Sequence, residues 1–100
     1  MIYDRPKAAR MLRVVAEVTE GALELAGRPG GEPSLRRPAL ETEKTMRTLA
    51  AKGDVDGMYQ EYLRALQTRS EMGETLHRQR RISLESELYR FAAIYWEREP

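Results

Sequence analysis

Apolar residues recur along this chain at spacings of three and four rather than two, which predicts helices and argues against a sheet. Met11, Val15, Val18, Ala22 and Leu25 form one stripe, with Ala8, Leu12, Thr19, Leu23 and Ala26 beside it. They predict a first helix over about residues 6–26, with Asp4 as N-cap, Pro6 in the first turn and Gly27 as the stop. Twelve of the nineteen residues from Ala8 to Ala26 are apolar, while Arg10, Arg13, Glu17, Glu20 and Glu24 trace only a narrow face. So wide an apolar arc exceeds what one neighbouring helix covers, so this helix is expected to be central or shared with another chain.

The pattern then breaks. Residues 27–37, with Pro38 just beyond, are crowded with Gly and Pro and offer only Leu35 for burial. A loop is expected there, long enough to cross the end of a bundle or to touch a partner. Leu40, Met46, Leu49 and Ala50 make a thinner stripe, predicting a second, surface helix over about 38–52 that starts at Pro38 and closes at Gly53. Asp54 or Asp56 then caps a third helix over about 55–80, carried by Val55, Met58, Tyr59, Tyr62, Leu63 and Leu66 and weakened at Gly73. A last helix over about 84–97 has Ser83 as its cap, one stripe of Leu84, Leu88, Phe91 and Tyr95, and a second of Tyr89, Ala93 and Trp96. The third and fourth helices running as one rod is the alternative. The fold class that follows is all-α: a single helical domain over 1–100, a small antiparallel bundle of three to four helices with a Gly/Pro-rich loop after the first helix.

Composition agrees with that class, since Val and Ile together number seven while Ala, Leu, Glu, Arg and Met dominate. The absence of Cys excludes disulfide scaffolds, thiolate nucleophiles, iron–sulfur centres and thiolate zinc sites. Seventeen Lys plus Arg against sixteen Asp plus Glu leave a formal charge of +1, so any case for nucleic-acid binding must be local. No apolar run approaches the ~18–20 residues that span a bilayer, and residues 1–6 lack the apolar segment of a secretory signal. A cytoplasmic protein without membrane attachment is the expectation.

Residues Gly53-Asp54-Val55-Asp56-Gly57-Met58-Tyr59-Gln60-Glu61-Tyr62-Leu63-Arg64-Ala65-Leu66 resemble the junction and second helix of a tetratricopeptide repeat, in which Gly-Asp starts the turn and an aromatic and Ala-Leu follow. Tyr62, Ala65 and Leu66 fit that pattern. Met58 replaces the family's small Ala, Thr42 and Met46 replace its large residue and Gly, and the fourteen residues have no second copy in the chain. The resemblance implies a helix-turn-helix hairpin, which ordinary turn chemistry explains as well. Read as a calcium loop, the same stretch puts Lys52 at the first ligand position and Leu63 at the last, both unsuitable. Glu71, Glu74 and His77 stand three apart, where a solvated charged face explains them better than a metal does. A lone His without a recognisable nucleophile or phosphate loop assembles no catalytic constellation, so no enzyme, cofactor, metal or small-molecule substrate is expected.

Two patterns remain that bear on partners. Tyr89, Phe91, Tyr95 and Trp96 place four of seven aromatics within eight residues, where rings fill a core or serve as binding anchors. Together with the wide arc of the first helix they offer more apolar circumference than a lone small bundle covers. The expected function is therefore a non-catalytic protein-interaction module: a small subunit, adaptor or inhibitor of a larger complex. It is expected to self-associate, most simply as a dimer, with Tyr89, Phe91, Tyr95, Trp96, Val15 and Val18 as contact residues. The alternative is a nucleic-acid-associated protein whose Arg36, Arg37, Arg78, Arg80 and Arg81 contact phosphates.

Overall fold

The structure, a computed structural model, describes residues 2–68 and 84–97, with side chains described over 2–65 and 87–97. Among the described residues lie four α-helices, α1 (Arg5–Gly27), α2 (Arg36–Lys52), α3 (Val55–Thr68) and α4 (Leu84–Tyr95), and one 3-10 turn at Pro33–Leu35. The all-helical class read from periodicity is thus the class observed. No helix among the described residues is long and apolar enough to cross a membrane.

Helix α1 begins where local chemistry directs it. The Asp4 carboxylate accepts the Lys7 amide at 3.0 Å, and Pro6 sits in the first turn, where a missing N–H costs nothing. Its wide apolar arc is used in full, because α1 packs against α2, α3 and α4, while α2 packs on α3 and α3 on α4. One core cluster gathers Ala8, Met11, Val14 and Val15 of α1 with Met46, Val55, Met58, Tyr62 and Phe91. A second, smaller cluster joins Ala22 and Leu25 to Leu35 and Ala39.

The connection after α1 differs from the loop expected over 27–37. Pro33 opens the 3-10 turn, Leu35 is buried at its end, and α2 starts directly at Arg36. Pro38 is then the third residue of α2 rather than its first, still within the turn whose amides have no helical partner. Burying Leu35 against Ala22 and Leu25 is what draws the chain back into helix two residues early. Gly31 lies so close to the Leu25 carbonyl that a Cβ there would clash with the backbone.

The α2–α3 junction is a Schellman turn. The Gly53 amide donates to the Ala50 carbonyl at 2.9 Å and the Asp54 amide to that of Leu49 at 3.0 Å, with Gly53 at φ 73°. A side chain at Gly53 would be strained by that φ and would press on the Arg5 side chain. Asp54, not Asp56, caps α3, its carboxylate accepting the Gly57 amide at 2.8 Å. Residues 2–4 lie along this turn: the Asp4 amide donates to the Gly53 carbonyl at 2.7 Å and the Val55 amide to that of Ile2 at 3.0 Å. The third helix expected over 55–80 is described as far as Thr68, and its remainder, with the Ser83 cap, lies outside the described residues.

Candidate protein-interaction surface

The aromatic residues of α3 and α4 form a continuous series of rings from the core to the surface. Tyr62 stacks on Phe91 with centroids 4.2 Å apart. Phe91 neighbours Tyr59 at 6.4 Å, and Tyr59 stacks on Tyr95 at 4.0 Å. Trp96 closes the series edge-on, 4.8 Å from Tyr95 and 6.3 Å from Tyr59. Exposure rises along it, from Phe91 at 0% and Tyr62 at 4% to Trp96 at 68%. Apolar burial anchors one end, and aromatic edge-to-face contact holds the other in a fixed pose at the surface.

Polar contacts hold this edge in place. The Tyr95 hydroxyl donates to the Asp56 carboxylate at 2.7 Å, and loss of that hydrogen bond on ionisation, then burial and the Asp56 charge, raise the hydroxyl's pKa. Burial raises the pKa of the Tyr62 hydroxyl, as does the nearby Glu87, against a lowering by Arg90, and this hydroxyl has no hydrogen-bond partner among the described residues. Across the α1–α4 seam, Arg90 donates to Glu17 at 2.7 Å. That hydrogen bond lowers the Glu17 pKa and raises that of Arg90. Lys7 buries its stem and donates from Nζ to the Glu97 carbonyl at 2.9 Å, while Arg10 pairs with the Glu97 carboxylate.

The structure divides the residues expected to contact a partner. Tyr89 and Trp96 are exposed at 63% and 68%. Tyr95 is half-buried between Tyr59 and Trp96. Phe91 and Val15 are core residues, so the contact role expected of them does not hold: both are consumed by the packing of α2, α3 and α4 around α1. Val18 is half-buried, and with Val15 it lines a cavity of about 20 Å³ shared with Thr19, Ala39, Thr42, Tyr62 and Ala65, room for roughly one water.

Arg36 and Arg37 are exposed in the first turn of α2, with Arg37 donating to Glu41 at 3.0 Å. Arg78, Arg80 and Arg81, the rest of the basic cluster expected to contact phosphates, lie outside the described residues, as do Glu71, Glu74 and His77. Two members of the aromatic edge escaped the sequence reading. Tyr59 read only as one more position in the α3 apolar stripe, and Asp56 only as a possible cap. The signal for Tyr59 was its place three residues before Tyr62, on the same face.

Comparison with protein-family models, with curated proteins and with solved structures finds no match to this chain.

Proposed function

We propose that this chain is a non-catalytic helical interaction module, a small subunit, adaptor or inhibitor, that engages a protein partner or a second copy of itself through its α3–α4 edge. The observation that carries the reading is the ring series ending in Trp96. An exposed Trp held against Tyr95 and Tyr59 loses little rotamer freedom on binding, which is the property of an interface anchor. Tyr89 adds a second exposed aromatic on the same helix. Arg10, Glu97 and Arg90 supply a charged rim of the kind that sets orientation rather than affinity. The short Schellman turn between α2 and α3 supports antiparallel packing of that pair.

Affinity capture from a lysate of the source, with and without nuclease, tests the reading when run beside a Tyr89→Ala, Trp96→Ala double variant. A protein retained after nuclease and lost on the double substitution is the expected outcome. Trp96 is the sole tryptophan, so the purified complex should also show its fluorescence shifting to shorter wavelength. Undiminished capture by the folded double variant refutes the aromatic edge. Loss of all partners on nuclease treatment replaces the reading with nucleic-acid association.

A further inference from the structure

A second surface lies away from the aromatic edge, along the groove between α1 and α2. At one end it holds an open hollow of about 290 Å³ with a floor of Ala9, Leu12, Ala50 and Ala51, and with Arg5 and Arg47 as its polar lining. Residues of α4 take no part in it. Helical spacing continues the same face towards the other end of the pair: Arg13 and Ala16 follow Ala9 and Leu12 on α1, and Lys44, Leu40 and Arg36 precede Arg47 on α2. From Arg36 to Ala51 the face runs about 22 Å, the length of a fifteen-residue helix.

Charge distinguishes this groove from the rest of the surface. Arg5, Arg13, Arg36 and Lys44 are exposed and form no ion pair among the described residues, whereas Arg10, Arg28, Arg37, Arg64 and Arg90 all meet a carboxylate. The carboxylates on the face are Glu43, which already holds Arg47 at 2.9 Å, and Glu20. The apolar floor thus has Arg5 without a counter-charge and Arg47 already paired at its border, and the face beyond it carries Arg13, Arg36 and Lys44 around a Leu40 that is 41% exposed. Phosphates would find no use for such a floor, and a neutral apolar segment would leave the guanidinium groups unmatched.

We propose that the α1–α2 groove is a docking site for an acidic amphipathic helix of a partner protein. Its apolar side lies on Leu12, Ala50 and Ala51, and its flanking carboxylates meet Arg5, Arg13 and Lys44, with Arg47 shared between Glu43 and the partner. This site is separate from the α3–α4 edge and does not depend on it.

The test titrates the full chain with a labelled synthetic helix of about eighteen residues that carries Leu on one side and Glu on both flanks. A second peptide with Lys in place of every Glu serves as the counterpart, and fluorescence anisotropy is the readout. Saturable binding of the Glu peptide is expected, weakened at least about tenfold by Ala51→Glu and by Arg47→Glu and unchanged by Trp96→Ala. The substituted residues are exposed, and circular dichroism verifies that each variant is folded. Amide chemical-shift changes should cluster at residues 5–13 and 44–51. Equal binding of both peptides, shifts centred elsewhere, or no binding by wild type overturns the proposal. So does a short duplex DNA that displaces the peptide. Sedimentation showing a dimer that Ala51→Glu dissociates would assign the groove to a second copy instead.

Discussion

The N-terminal half of α1 buries Met11, Val14 and Val15 among side chains of α2, α3 and α4, whereas among the described residues its C-terminal half sets Ala22 and Leu25, with Val18 and Ala26 beside them, against Leu35 and Ala39. The two ends solve different packing problems. Three elements converging on one helix leave an irregular space, and flexible Met11, Met46 and Met58 together with the flat rings of Tyr62 and Phe91 fill it. Two elements meeting side by side need only short side chains, so Ala22 and Ala39 allow close approach but bury little area. The difference teaches that the stability of the molecule is concentrated at the three-way junction, on which the ring series and the exposed Trp96 also depend.

Truncation at the junction should therefore have the largest effect. Phe91→Ala empties a fully buried site and is expected to lower unfolding free energy by about 3–5 kcal/mol in urea titration. A loss below about 1.5 kcal/mol would mean that the junction collapses around the gap and is not the stabilising centre. Leu25→Ala, equally buried but at the two-element end, should cost about 2–3 kcal/mol, the low end of its class, because the single turn over it can settle inward. If it costs more than Phe91→Ala, the ranking of the two ends is inverted.

Asp54→Ala probes the junction indirectly, since the carboxylate caps the helix that delivers Val55 and Met58. A loss of about 1 kcal/mol is expected, together with faster hydrogen exchange at the Gly57 amide. The smallest effect belongs to Tyr62→Phe, which removes a buried hydroxyl without a partner among the described residues and should leave stability at neutral pH unchanged or raise it by less than about 0.5 kcal/mol. Its consequence appears in alkali. Burial raises the Tyr62 pKa in the folded chain, so the unfolded chain, ionising near pH ~10, releases its proton first. That contribution to stability is complete below pH ~10 and is lost above it. The Phe variant should fall less steeply there than wild type, retaining the slope due to Tyr95, and parallel curves would show that the hydroxyl is solvated.

Much of this architecture was legible because local chemistry and periodicity coincide. Asp4, Pro6 and Gly27 bound α1 in sequence as in space, and the breadth of its apolar arc, read as a helix either central or shared with another chain, fits its contact with each of the other described helices. The start of α2 was not legible, because three Pro and three Gly between Gly27 and Pro38 overshadowed Leu35, whose partners lie back in α1. Within α4 the periodicity already separated Leu88, Phe91 and Tyr95 from Tyr89, Ala93 and Trp96, and burial follows that division. Grouping all four aromatics as contact residues set local density above phase, and Phe91 is the price of that choice. Lys7, buried with its ammonium on the Glu97 carbonyl, could not have been read at all, since nothing near it in sequence announces the partner.

The bonds that lock α4 onto α1 join residues 73, 87 and 90 positions apart. By contrast α1, α2 and α3 follow one another through short turns and can associate as each is completed. Closing the longest loops costs the most chain entropy, so docking of α4 is expected to follow the local contacts in folding. A growing or refolding chain thus lacks Phe91, one wall of the core that Met11 and Val15 share with Met46, Val55, Met58 and Tyr62, until residue 91 arrives. During that interval the molecule has an open apolar slot, and the speed with which Phe91 enters it sets its exposure to aggregation.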